Sequence, residues 1–363
     1  MAGTQKMPEL PKTYKAVVYD KPGEVSTEVR YLDMPEPGAG EILVKLSHSG
    51  VCHSDLGVMT NSWKGLPFPT PAGQVGGHEG VGKIVKLGPG SAGVKVGDRV
   101  GIKWMADICG SCPACLEGHD GVCFNGKVSG YYSPGTFQQY VLAPASYVTP
   151  IPDGVSSAEA APMLCAGVTV YSALRKSGAQ SGQWVALLGA GGGLGHIACQ
   201  IASKGMAMRV IGIDADAKKD LVMESGAEHF VGLSEGDTAA KVLELTGGLG
   251  VSAALVLTAA NSAYTSAPGM LKFGGRLVCV GLPEGEMKPI ATAFPQILVA
   301  KAQSIVGVAV GNRQEAIETL EMASRGLIRT HYRMEKMDKL TEIFKDMEEG
   351  KLQGRVVLDL ETE

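Results

Sequence analysis

Four cysteines, Cys109, Cys112, Cys115 and Cys123, fall within the segment CGSCPACLEGHDGVC at the spacing C-x2-C-x2-C-x7-C, the tightest constraint this chain places on its own fold. Thiols so close along the backbone can meet one small ion if the chain turns sharply between them, and Gly110, Pro113 and Gly118 permit those turns. The pattern predicts a closed, tetrahedral zinc site of structural type. A pair of disulfides is the competing reading, and a four-thiolate iron–sulfur cluster a third, although nothing else hints at an electron-transfer partner. The chain opens MAGTQKMPELPKTYK, without the apolar run of a secretory signal, so a reducing, cytoplasmic setting is expected and zinc is preferred. His119, inside the last loop of the cluster, reads as a substitute ligand or as a solvated loop histidine.

At 363 residues the chain has room for two domains with separate cores. It is 45% hydrophobic and 19% charged with a formal net charge of −4, which provides no electrostatic footprint for nucleic acid or an anionic membrane. No apolar run approaches the roughly 20 residues of a bilayer span, and no internal repeat is visible. Up to residue 165 the short runs TYKAVVYD, EILVKLSHSG, GVGKIVKLG, VGDRVGI and FQQYVLAPASYVTPIP are broken by Gly, Pro and Asp, which predicts a compact, mostly antiparallel β domain over 1–165. From 166 to 308 the rhythm changes. Apolar runs at Trp184 to Leu188, Arg209 to Ile213, His229 to Leu233, Ser252 to Thr258, Arg276 to Val280 and Ser304 to Val308 alternate with helical stretches, and predict an α/β, doubly wound parallel sheet. The segment 309–363 carries helices around Gln314 to Gly326 and Lys336 to Glu349 and a last strand, Gly354 to Leu360, expected to return to the first domain.

The run Trp184 to Leu188 leads directly into Gly189-Ala-Gly-Gly-Gly-Leu-Gly195 and then into a helical stretch. Glycines at a strand-to-helix turn let backbone N–H groups approach a pyrophosphate, here through Gly189, Gly192, Gly193, Leu194 and Gly195. Such a loop is weak evidence alone. The next run, RVIGID, ends at Asp214, nineteen residues after Gly195, where a carboxylate can accept from both ribose hydroxyls of an adenosine. The same charge repels a 2′-phosphate, so NAD is predicted over NADP. Lys219 reads as a second group near that ribose or as an exposed helix lysine.

Cys52 in SGVCHSDLG, His78 in GGHEG and Cys165 in APMLCAGVTVY are far apart in sequence. If the fold gathers them, two thiolates and an imidazole leave zinc one open position, the arrangement that polarises an alcohol or carbonyl oxygen. Together with the four-cysteine loop, the stretches GVCHSDL, GGHEGVG, SGYYSPGTFQQY, LCAGVTVY, GAGGGLG, GVAVGNR and the closing GR resemble the zinc-dependent medium-chain alcohol dehydrogenases. The similarity extends over nearly the whole chain and is greatest to the tetrameric yeast and fungal ethanol dehydrogenases.

The resemblance implies a GroES-like catalytic domain, a Rossmann NAD-binding domain, two zinc ions per chain and a homotetramer acting on a small alcohol or aldehyde. It implies catalytic zinc on Cys52, His78 and Cys165 and structural zinc on Cys109, Cys112, Cys115 and Cys123. Asp55 would orient the His78 imidazole, Glu79 would be the acidic neighbour that enters the zinc sphere during ligand exchange, and Ser54 would take the proton of the alcohol. His53 and Arg355 would meet the pyrophosphate, Thr169 would pack near the nicotinamide, and Trp63 and Trp104 would narrow the substrate pocket. One position departs from the pattern. Close relatives read CHTDLH, whereas this chain reads CHSDLG, so Gly57 removes the imidazole that ends the proton relay and vacates volume beside the cofactor.

Cys199 and Cys279 lie among apolar neighbours and read as reduced core residues. A secondary-alcohol or polyol dehydrogenase, or a specialised biosynthetic alcohol dehydrogenase with a larger substrate, is the nearest rival, and a non-catalytic dinucleotide-binding protein a more distant one. The intact ligand sets and Ser54 argue against the latter.

Overall fold

The computed structural model describes residues 10–362. Six parallel strands form one sheet in the order His229–Gly232, Arg209–Asp214, Trp184–Leu188, Val251–Val256, Leu271–Cys279, Ser304–Gly307. Helices cover both faces of its centre, so Trp184–Leu188 and Val251–Val256 are apolar and buried along almost their whole length. Strand order reverses between these two. That reversal opens a crevice at their carboxyl ends, beside the glycine-rich loop. All six strands lie at the predicted runs, with ends shifted by a few residues.

The other large sheet has seven strands, all antiparallel to their neighbours except the pair Tyr332–Lys336 and Arg355–Asp359. Its long strand Glu41–Val51 pairs on one side with Gly80–Leu87 and on the other with Arg355–Asp359. The last strand thus adds an element from the chain's end to the sheet that presents Cys52. Ile343 and Phe344, from helix Leu340–Glu348, hold this return in place by packing in one core with Val17, Leu43 and Val356. The helix expected around Lys336 to Glu349 is present as Leu340–Glu348, entered through the 3-10 turn Met337–Lys339. The strand before it, Tyr332–Lys336, was not predicted, because its partner Arg355–Asp359 lies beyond that helix. A further strand, Thr27–Asp33, pairs with Thr13–Tyr19 and was not predicted.

Two local devices aim side chains at the crevice. Helix Ser157–Pro162 passes into the wide turn Met163–Gly167 and on into helix Val168–Lys176, and that π-type turn carries Cys165. Single wide turns of this kind redirect a side chain without ending a helix. At the glycine-rich loop, Gly189 adopts φ +88, and a Cβ on Gly195 would lie 2.1 Å from the Gly189 carbonyl oxygen. Backbone contact this close holds the helix start against the strand end. Gly195→Ala is expected to lower stability by about 1–3 kcal/mol through overpacking, read as a lower denaturation midpoint at unchanged slope. A variant as stable as its parent would contradict the close contact.

Candidate active site and metal centres

Cys52 follows strand Glu41–Val51 and caps helix His53–Met59. Its backbone N–H donates to Asp55 Oδ2 at 2.9 Å, while Asp55 Oδ1 accepts from His78 Nδ1 at 2.7 Å. One buried carboxylate thereby orients both a helix start and an imidazole. With Nδ1 so occupied, His78 presents Nε2 to Cys165 Sγ at 3.2 Å, and Cys165 Sγ lies 4.0 Å from Cys52 Sγ. Cys52, His78, Glu79 and Cys165 place one ligand atom each within 4.8 Å of one another, and all four residues are buried. The three residues expected to meet do meet. A thiolate pair on one tetrahedral zinc ion is separated by about 3.8 Å for Zn–S bonds near 2.3 Å, so this donor set fits the ion.

Glu79 is fully buried. Its Oε1 pairs with the Arg355 guanidinium and lies 4.0 Å from His78 Nε2, whereas Oε2 has no partner. Burial pushes its pKa up to about 7, against the pull of Arg355. The room for this carboxylate comes from Gly50, where a Cβ would lie 1.9 Å from Glu79 Oε2. The sequence reading did not single out Gly50, since strand pairing alone brings it beneath Glu79.

The second cluster forms as predicted. The Sγ atoms of Cys109, Cys112, Cys115 and Cys123 lie within 4.8 Å of one another, with Cys112–Cys123 at 3.9 Å and Cys109–Cys123 at 3.6 Å. All four are free thiols, so the disulfide alternative is not realised, and the separations again suit a tetrahedral ion. His119 is not among the grouped ligands.

A cavity of ≈ 550 Å³ lies between the two sheets' domains, with Cys52 and Cys165 in its wall beside Ser54 and Thr169. Ser54 Oγ is 3.6 Å from Cys52 Sγ. Trp63 and Trp104 close one side, edge to face at 6.0 Å, and Trp104 meets His78 edge to face at 4.9 Å. Gly193, Leu194 and Arg355 line the other end, and a Cβ on Gly193 would lie 2.8 Å from Arg355 Cδ. His53 also lines the cavity, but its Nε2 is engaged by Glu284 at 2.7 Å.

Asp214 ends its strand next to the loop, with Oδ2 accepting from the Gly191 N–H at 2.8 Å. Lys218 turns toward it, with Nζ 3.8 Å from Asp214 Oδ1, while Lys219 is an exposed helix lysine, the second of its two readings. Lys218 closes the short 3-10 turn Asp216–Lys218, and Lys219 begins the helix that follows. The volume vacated at Gly57 is also filled. A Cβ there would lie 2.9 Å from Trp63 Cε2 and Nε1, so the indole rests on the glycine. Val310, in the cavity wall, was missed as well. Its φ of +44 is strained for a β-branched residue and has no sequence signal.

The family model described as the alcohol dehydrogenase GroES-like domain matches residues 38–153, and that described as the zinc-binding dehydrogenase matches 193–325. Alcohol dehydrogenase 2 of Emericella nidulans is 61% identical, the match spanning 97% of this chain and 99% of that one. Among solved structures, the alcohol dehydrogenase of Aeropyrum pernix superposes with TM-score 0.85 at 31% identity, covering 95% of this chain and 99% of its own. The acetophenone reductase of Geotrichum candidum, solved in complex with NAD, gives 0.83 at 28% identity, covering 97% and 98%. With the buried thiol–imidazole cluster at the crevice, these similarities establish that the chain belongs to the zinc-binding medium-chain alcohol dehydrogenases, as a member of the fungal type.

Proposed function

We propose that the enzyme interconverts primary alcohols and aldehydes with NAD and carries two zinc ions per chain. In this reading Cys52, His78 and Cys165 hold the catalytic ion, and Cys109, Cys112, Cys115 and Cys123 the structural one. The observation that carries it is the convergence of the first three side chains on a cavity that also reaches Gly193 and Arg355. When bound, zinc supplies a Lewis acid for the substrate oxygen and NAD a two-electron hydride acceptor.

The protein's own groups then have distinct tasks. Ser54, half-buried in the cavity wall, accepts the hydroxyl proton of the alcohol and passes it to water, there being no imidazole at Gly57. Asp55 fixes the His78 ring. Glu79, held by Arg355 with one oxygen free, is the carboxylate placed to assist ligand exchange. Arg355 and His53 face the pyrophosphate together with Gly189, Gly192, Gly193, Leu194 and Gly195, and an anion at His53 competes with Glu284. Thr169 packs against the nicotinamide, Asp214 receives the adenosine ribose, and Lys218 takes the part first given to Lys219. Trp63 and Trp104 exclude water and narrow the site toward primary alcohols. The NAD complex of the acetophenone reductase supports the cofactor.

In the same reading, 1–165 form the catalytic domain, 166–308 the NAD domain and 309–363 the returning segment. A homotetramer is proposed from the resemblance to the tetrameric yeast and fungal enzymes, and self-association is supported by the open edge strand Ser304–Gly307 and by nearby exposed Phe273 and Val299. No helix among the described residues is long and apolar enough to cross a membrane, and a cytoplasmic location is proposed.

Elemental analysis is expected to give about two zinc ions per chain. Cys165→Ala should lose about one of them together with turnover while keeping its fold, and retained turnover without that ion would contradict the site. NAD should be used in strong preference to NADP, and Asp214→Gly should narrow the ratio of kcat/KM values about tenfold or more; equal use of both by the parent enzyme would remove the role given to Asp214. Gly57→Ala should push the Trp63 indole, shift its fluorescence and change KM across a series of alcohols of increasing length. An unaltered profile would show that the indole does not depend on Gly57.

A further inference from the structure

Helix Gly195–Gln200 starts inside the glycine-rich loop, and two of its side chains one turn apart, His196 and Gln200, grip the segment that leads back into the first domain. His196 is 1% exposed. Its Nδ1 lies 2.9 Å from the Gly192 carbonyl oxygen and its Nε2 3.1 Å from the backbone nitrogen of His331. A carbonyl only accepts and an amide N–H only donates, so one neutral tautomer, protonated at Nδ1 and bare at Nε2, satisfies both partners. Burial keeps the ring neutral by lowering its pKa to about 4, outweighing the Gly192 carbonyl.

Gln200 makes a parallel clasp. Its Nε2 donates to the Arg329 carbonyl and its Oε1 accepts from the Arg329 N–H, both at 2.9 Å. From there the chain runs into strand Tyr332–Lys336. The His331 carbonyl accepts from the Arg355 N–H at 2.8 Å, and the Arg355 side chain packs against Gly193 and pairs with Glu79. A chain of hydrogen bonds therefore runs from Gly192 through His196 and His331 to Arg355. Leucine would fill the same volume but leave the His331 N–H without its acceptor, whereas the Gly192 carbonyl would keep the backbone N–H of residue 196 at 3.2 Å.

We propose that His196 is a positioning residue for the cofactor, fixing the glycine loop relative to Arg355 so that both halves of the anion site are set before the dinucleotide arrives. The inference rests on the NAD reading above. It is tested by titrating NADH into the zinc-loaded enzyme and its His196→Leu, His196→Gln and His196→Asn variants, with thermal unfolding of the same samples. Glutamine retains an acceptor that can reach the His331 N–H, whereas the shorter asparagine retains only a donor for Gly192.

His196→Leu is expected to weaken NADH binding about tenfold, the effect of one buried hydrogen bond left unmade. Gln should recover most of the loss and Asn little, and the effect should fall on KM for NAD more than on kcat. An unchanged NADH affinity in a less stable Leu variant would reduce His196 to packing and overturn the proposal. So would an Asn variant that binds as tightly as Gln, and that comparison decides the matter if the Leu variant does not fold. A parent enzyme that binds no NADH overturns the NAD reading and this inference with it; a parent that binds while every variant matches it overturns this inference alone.

Discussion

The two oxygens of the Asp55 carboxylate organise the catalytic end of the molecule. The side chain is only 3% exposed, and both oxygens are used, one on the Cys52 N–H and one on His78 Nδ1. A carboxylate buried without such partners is costly, and with them it becomes a rigid reference point. Helix His53–Met59 starts where Asp55 receives the Cys52 amide, so Cys52, His53 and Ser54 share one frame. His78 is turned so that its free nitrogen meets Cys165, delivered from the opposite side by the π-type turn.

Around that frame, close backbone approach does much of the shaping. Gly50 leaves space for Glu79, Gly193 for Arg355 and Gly57 for the Trp63 indole. Each is a glycine beneath a large side chain, from a distant part of the sequence for Gly50 and Gly193 and from the following loop for Gly57. Arg355 itself reaches the site only because the last strand pairs with Glu41–Val51, which makes the end of the chain part of the crevice wall. The metal cluster and the glycine loop are consequently joined by packed side chains and hydrogen bonds, through Glu79, Arg355, His331 and His196.

The sequence was most legible where a local pattern implies a local structure. Apolar runs of strand length marked all six strands of the parallel sheet, and the spacing of Cys109, Cys112, Cys115 and Cys123 implied their meeting before any fold was known. The Cys52, His78 and Cys165 cluster could be suspected from residue type, but its formation depends on long-range pairing and on a wide helical turn that leaves no clear signature. Strand Tyr332–Lys336 went unpredicted because its partner lies beyond the next helix. Lys218 approaches Asp214 from a short 3-10 turn that leaves no pattern in the sequence. Gly57 looked like empty space only because the indole that covers it belongs to the following loop.

The proposed chemistry requires a metal ion between Cys52, His78 and Cys165, at the wall of the cavity. Anomalous diffraction from crystals of the purified enzyme, recorded on both sides of the zinc absorption edge, addresses this directly. An anomalous peak is expected within bonding distance of Cys52 Sγ, His78 Nε2 and Cys165 Sγ, and a second among the four clustered cysteines. A peak at the four-cysteine cluster alone, in enzyme that turns over alcohol, would contradict that chemistry.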